Sequence, residues 1–115
     1  MEAGSVSKQR TKGTQFESLI LEGIQAYIPD AHRLGMQGAK DCGDIWLPRS
    51  RRYIVECKNE QRMDLAGWAK EAQAEANNAE KPFWVIAHKR RGSNTPYPQW
   101  ITTTLYNWLE MTLND

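Results

Sequence analysis

Asp44-Ile45-Trp46-Leu47-Pro48-Arg49-Ser50-Arg51-Arg52-Tyr53-Ile54-Val55-Glu56-Cys57-Lys58 reads as two short strands joined by a basic turn. Asp44 to Leu47 makes the first strand, and Pro48 stops it because proline has no amide to donate to a ladder. Tyr53 to Lys58, with its aromatic and β-branched residues, makes the second. The connection from Pro48 to Arg52 is short enough to fold the chain back, so an antiparallel hairpin is expected. Side chains alternate along a strand. Ile54, Glu56 and Lys58 therefore share one face, and Tyr53, Val55 and Cys57 take the other. A hairpin of this length can set Asp44 beside Glu56 across the ladder.

Toward the N-terminus, residues 1–12 contain Gly4, Ser5 and Ser7 without periodicity and read as a flexible basic arm. Thr14 and Glu17 form a capping box, after which Phe16, Leu19, Ile20, Ile24, Tyr27 and Ile28 recur at helical spacing until Pro29. From Ala31 to Gly43 the glycines argue for a loop, with room for one short strand near Arg33. Toward the C-terminus, Asp64 can cap a second helix reaching about Asn78. Its stripe of Leu65, Trp68, Ala69, Ala72, Ala76 and Ala79 is small enough to lie close against a sheet. Lys81-Pro82 ends that helix, and Phe83 to Ala87 is a continuous apolar strand of the buried kind. Trp100 to Thr104 suggests another strand, and Leu105, Trp108, Leu109 and Met111 a last helix. Trp68, Trp84 and Trp108 lie on apolar faces and are expected in the core. The order α-β-β-α-β-β-α, or the same with an added strand near Arg33, gives a mixed α/β class: a central mixed sheet flanked by helices.

The chain of 115 residues has room for one domain, taken as residues 13–115 behind the arm. No stretch approaches the roughly 18 apolar residues of a membrane span. Met1 to Lys12 has no apolar h-region, so a cytoplasmic setting is expected. Two cysteines, Cys42 and Cys57, and two histidines, His32 and His88, make neither a disulfide framework nor a zinc site. The net charge of +1 hides an asymmetry: residues 60–80 carry −3 and the rest +4. The bases gather as Lys8/Arg10/Lys12, Arg49/Arg51/Arg52 and Lys89/Arg90/Arg91. Such clusters suit a phosphate backbone if the fold brings them to one face, and otherwise simply solvate loops.

Asp44 and Glu56 beside Lys58 would give two carboxylates near one ammonium group. Hard carboxylate oxygens with positions open for water suit Mg²⁺ or Mn²⁺. The backbone carbonyl of Cys57, between the two functional side chains, could add a ligand. A Glu-x-Lys triplet is also found on ordinary solvated strand faces. Here it follows Asp44 in a hairpin, behind the glycine-rich loop Gly38-Ala39-Lys40-Asp41-Cys42-Gly43.

This arrangement resembles the PD-(D/E)xK nuclease superfamily, with Asp44 followed by Glu56-Cys57-Lys58 as its signature. The likeness extends to Holliday-junction resolvases of the archaeal type and their phage relatives, over about residues 8 to 91. It includes the basic segment Arg10-Thr11-Lys12-Gly13-Thr14-Gln15-Phe16-Glu17 running into a helix, then Arg33, Gln37-Gly38-Ala39-Lys40, and the strand region Lys81 to Lys89. Gly43 stands where the signature has proline.

The resemblance implies a restriction-endonuclease-like core and a Mg²⁺-dependent endonuclease that cuts branched DNA, a four-way junction above all, with Mn²⁺ able to substitute. Asp44 and Glu56 would hold one or two Mg²⁺ ions, with Cys57 contributing its backbone carbonyl. Glu17 would reach the metal shell directly or through water, a role compatible with capping. Lys58 would orient or activate the attacking water or stabilise the phosphorus centre. Lys8, Arg10, Lys12, Arg33, Lys40, Arg49, Arg51, Arg52, Lys89, Arg90 and Arg91 are the candidate DNA contacts. Two symmetric nicks call for a homodimer, paired through the Ala-rich second helix or the Trp-bearing C-terminal region. No membrane and no small-molecule substrate are expected, and a phage-encoded chain would act in the host cytoplasm during DNA recombination or repair. The alternatives are another DNA repair or recombination nuclease of the superfamily, and a non-catalytic DNA-binding module.

Overall fold

A computed structural model describes residues 2–35 and 41–114, with side chains described from residue 11 onward. The elements are α1 (Glu2–Gln25), β1 (His32–Arg33), β2 (Ile45–Trp46), β3 (Tyr53–Lys58), α2 (Leu65–Asn78), β4 (Phe83–His88), β5 (Trp100–Thr102) and α3 (Leu105–Leu113). The five strands form one mixed sheet in the order β1-β2-β3-β4-β5. β1–β2, β2–β3 and β4–β5 are antiparallel, while β3 and β4 are parallel and joined through α2. The mixed α/β class and the β2–β3 hairpin are as the residue pattern predicts, and the short strand near Arg33 is present.

Alternation in β3 divides the core into two layers. Val55 faces a cluster with Phe16 and Ile20 of α1, Val85 and Ala87, against which Cys57 and Tyr53 pack. Ile54 faces the other way, onto Trp68, Ala72 and Ala76 of α2 with Trp84 and Ile86. Ala72 and Ala76 are fully buried, so the small stripe of α2 lies directly against its own sheet. Asp64 caps α2 by accepting from the Gly67 amide, as its position predicts.

Five expectations need correction. The first helix ends at Gln25 rather than running to Pro29, and β2 covers only Ile45–Trp46 rather than Asp44 to Leu47. The first helix starts at Glu2 rather than at Thr14, so residues 2–12 are helical backbone and not an arm without regular structure. No proline interrupts the chain before Pro29, and Lys8, Gln9, Arg10 and Lys12 are good helix formers. Thr14 is thus an interior residue rather than an N-cap. Trp108 is 55% exposed, so it is a surface residue of α3 and not core. β5 closes at Thr102, because Thr104 caps α3 by accepting from the Asn107 amide.

Candidate active site

Pairing of Ile45 with Val55 puts Asp44 next to Glu56 across the hairpin. The backbone reaches that point through Gly43, which has φ +100°, a conformation that favours glycine and that proline, with φ near −65°, cannot adopt. Gly43 is buried, and a Cβ there would stand 3.1 Å from Ile54 Cδ1 and 3.3 Å from the Val55 carbonyl. Position 43 therefore takes glycine and could not take proline. Asp44 then turns one carboxylate oxygen, Oδ2, onto the Cys57 amide at 2.8 Å, which locks its side chain to β3.

Glu56 points to the α2 side of the sheet and is 6% exposed. Its carboxyl is pushed up to about 11, first by burial, then by the charge of Asp44 and by hydrogen bonding with Asp44 and Glu75. Lys58, two residues on, directs Nζ to Glu71 of α2 at 2.7 Å, to Glu56 at 3.8 Å and to Glu60 at 4.0 Å. Burial lowers the Lys58 pKa, but the Glu71 hydrogen bond and the charges of Glu56, Glu71 and Glu60 outweigh it, so the net shift is upward. At neutral pH Lys58 is a fixed cation.

Glu17 approaches from α1. Burial and the charge of Asp44 raise its pKa, while Arg33 lowers it. Arg33 Nε stands 3.6 Å from Glu17, and Nη2 donates to the Thr14 carbonyl and to Ser18 Oγ. The four residues Glu17, Asp44, Glu56 and Lys58 therefore meet at one end of the sheet, with Asp44 as the common neighbour of Glu17 and Glu56.

The residue pattern alone missed Glu75. It is a buried carboxylate of α2, also 6% exposed, and its pKa is raised to about 7. Burial is the main cause; hydrogen bonding with Glu56 opposes it, and the charges of Asp41 and Asp44 and a hydrogen bond with Asp41 add to it. A signal existed: Glu75 lies seven residues after Trp68 and between Ala72 and Ala76, on the helix face that packs inward.

The sheet separates the basic clusters. β3 and β4 are parallel, with Lys58 opposite His88, so Lys89 and Arg91 emerge at the carboxylate end. There Lys12, Lys89 and Arg91 line a groove of about 340 Å³ of mixed character, with Gln15, Asn59 and Asn94 and the apolar Phe16 and Leu19. Arg91 is steadied by Asn59 Oδ1 and the Glu60 carbonyl, and Lys89 by Ser93 and Asn94. Arg90 lies over the Trp100 ring at 4.8 Å. Arg49, Arg51 and Arg52 precede β3 and so sit at its opposite end, about 20 Å away at roughly 3.3 Å per residue. Arg52 donates to the carbonyls of Glu110 and Asn114 and lies over Phe83, serving the C-terminal end of α3. Lys40 lies outside the described residues, as do the side chains of Lys8 and Arg10.

Other candidates resolve into structure. His88 Nε2 is 2.7 Å from Thr102 Oγ1, and burial lowers its pKa. Gln73 accepts from the Trp84 indole N–H. The Cys57 thiol, on the α1 face, is driven up by burial and by the charges of Asp44, Glu17 and Glu56, which leaves it unreactive.

A divalent cation fits these residues. Among the described residues no three His, Cys, Asp or Glu side chains already stand as a metal-ligand group. Mg²⁺, however, is commonly held by one or two carboxylates with water completing its shell. Glu56 Oε1 and Glu75 Oε2 are buried without any hydrogen-bond partner, a costly arrangement that a hard cation would relieve. An apolar cleft between α1, the β4–β5 connection and α3 is lined by no carboxylate. Comparison with models of known protein families, with curated proteins and with solved structures returned no match.

Proposed function

We propose that this chain is a divalent-cation-dependent DNA endonuclease of the PD-(D/E)xK type that cuts branched DNA. One observation carries the reading: Asp44, Glu56 and Lys58 converge at the sheet end that also bears the Lys12–Lys89–Arg91 groove. A carboxylate pair, an ammonium group and a basic track for phosphates are the parts that phosphodiester hydrolysis needs.

Asp44 and Glu56 would hold Mg²⁺ or Mn²⁺, with the Cys57 carbonyl and Glu17 as further or water-bridged ligands. When bound, the metal supplies water of lowered pKa and offsets charge on the scissile phosphate. The Cys57 amide orients Asp44, and the Arg33 guanidinium, 3.6 Å from Glu17, orients Glu17. Lys58, held protonated by Glu71 and its neighbours, serves as a positive charge for the pentavalent phosphorus centre rather than as a base. Lys12, Lys89 and Arg91 carry the strand beyond the cut. Arg33 and Arg52 leave the list of DNA contacts, since Glu17 and the end of α3 occupy them.

The four-way junction as substrate rests on the resemblance of the Asp44–Glu56–Lys58 hairpin and its flanks to the resolvases. A homodimer supplies the two opposed sites that paired nicks require. The Ala-rich face of α2 is buried in its own core, so the exposed surface of α3 around Trp108 is the remaining face for that pairing. Among the described residues no helix is long and apolar enough to cross a membrane.

The test is incubation with a labelled four-way junction and a matched linear duplex, in Mg²⁺ or EDTA, beside Glu56→Ala. Symmetric nicks in the junction alone, absent in EDTA and in the variant, are expected. Equal cutting of both DNAs would make the chain a general nuclease. Binding without cutting in Mg²⁺ or Mn²⁺ would overturn the enzymatic reading in favour of a DNA-binding module.

A further inference from the structure

Lys58 borders a second cavity, of about 370 Å³, on the α2 side of the carboxylate end. The buried rings of Trp68 and His88 line it, together with Met63 and Trp100, which are exposed. Scattered exposed apolar side chains are ordinary. These two, however, share one cavity with the cations Lys58, Lys89 and Arg91. Arg90, outside that lining, lies over the Trp100 ring at 4.8 Å and steadies it, yet the residue stays 48% exposed. Arg91 is fixed by Asn59 Oδ1 and the Glu60 carbonyl, while the Glu60 carboxylate, also in the lining, stands 4.0 Å from Lys58. Gln61 is exposed at the cavity, and its side chain makes no hydrogen bond among the described residues. Lys89 and Arg91 also line the groove that holds Lys12, so the aromatic cavity and the phosphate track adjoin across these two cations.

We infer that this cavity takes an unstacked nucleobase of the bound DNA strand, with Trp100 as its stacking surface and the neighbouring phosphate on Lys89 and Arg91. This rests on the DNA-cutting reading above and gives it a source of selectivity. An aromatic ring beside cations that follow a backbone is the chemistry that holds single-stranded bases, since every base has a π-face. Met63 supplies an adaptable apolar wall. Gln61 offers a donor and an acceptor to a base edge. The cavity falls in the roughly 300–1,000 Å³ range of pockets for small ligands. A base paired in a linear duplex reaches it only by unpairing and unstacking, whereas a base left unpaired at a branch has less to lose. Trp100 thus favours branched or single-stranded DNA over duplex without reading sequence.

The experiment measures binding by fluorescence anisotropy in Ca²⁺, a hard cation offered in place of Mg²⁺ to limit cutting. The probes are oligothymidylate, an abasic oligomer of equal length and a linear duplex. Wild type should bind oligothymidylate at least about tenfold more tightly than the abasic oligomer, which keeps the phosphates and lacks the bases. That comparison needs no variant. Trp100→Ala should weaken oligothymidylate binding by about 5- to 100-fold, and Trp100→Phe should restore it to within about threefold of wild type. Duplex affinity, set by phosphate contacts, should stay within about twofold in both variants. Equal wild-type affinity for oligothymidylate and the abasic oligomer would overturn the inference. So would equal losses of duplex and single strand in a Trp100→Ala protein that melts like wild type. If wild type cuts the junction while the abasic oligomer binds as well as oligothymidylate, the nuclease reading stands and this inference falls. Wild type that binds none of the three DNAs would end both.

Discussion

Replacing Glu56 by Gln should make the metal-free protein more stable at neutral pH while abolishing its activity. The carboxyl is buried, with Oε1 unpartnered, and its pKa stands at about 11 against 4.5 for a free glutamate, burial being the largest cause and Asp44 the next. Below pH 4.5 the folded and unfolded chains both hold the proton and the group costs nothing. Above it the unfolded chain releases the proton and the folded chain keeps it, so stability falls as pH rises. The slope is about 1.4 kcal/mol per pH unit, which accumulates to roughly 3 kcal/mol by pH 7. Gln carries no such proton, and its amide N–H can donate to the Asp44 or Glu75 carboxylate. Part of the gain is lost because Glu75 takes over some of the shared proton's role, which leaves about 2–3 kcal/mol. For a chain of this size 1 kcal/mol moves Tm by about 4 °C, so Glu56→Gln should melt about 8–12 °C above wild type at pH 7 in EDTA. At pH 4.5 the two should coincide. Calorimetric melting at both pH values decides it. A variant destabilised at pH 7, or a shift of equal size at both pH values, refutes the reasoning.

Gly43→Ala should lose about 1–3 kcal/mol in urea unfolding, since alanine would have to hold φ +100° with its Cβ against Ile54 and the Val55 carbonyl. It should also depress cleavage by moving Asp44, and unchanged stability would deny the strain. Lys12→Ala should weaken junction binding and flatten the log–log salt dependence by about one, while Arg49→Ala, at the opposite sheet end, should leave both unchanged. Equal losses from the two would mean that the DNA path runs over the hairpin turn. Trp108→Glu, at a position 55% exposed, should shift sedimentation from dimer to monomer with Tm within a few degrees of wild type. A persistent dimer would place the interface elsewhere.

What is local in this chain was legible from its residues. The Asp64 cap and the alternation of Tyr53–Lys58 each depend on interactions within a few positions, and both appear where the pattern puts them. The meeting of Asp44 with Glu56 was also legible, because a short turn leaves a hairpin few registers and the alternation selects one. The start of α1 was not. Gly4, Ser5 and Ser7 argue against a helix by propensity, which is a weak prior, and nothing in the sequence forbids continuation. Trp108 misled for another reason: a tryptophan at helical spacing with Leu105 and Leu109 looks inward only if something packs on that side, and α3 is buried chiefly through Asn107 and Met111.

By itself, then, the sequence determined the mixed α/β class, the hairpin and the three residues Asp44, Glu56 and Lys58, since each follows from strand periodicity and near-neighbour chemistry. Only the tertiary structure decided the rest. The parallel pairing of β3 with β4 brings Lys89 and Arg91 to the carboxylates and leaves Arg49, Arg51 and Arg52 at the far end. The packing of α2 across the sheet turns Glu75 from one acid in a solvated run into a buried neighbour of Glu56. The contact of β1 with α1 spends Arg33 on Glu17. These are encounters between residues distant along the chain, and their energies depend on burial and separation that appear only once the layers close.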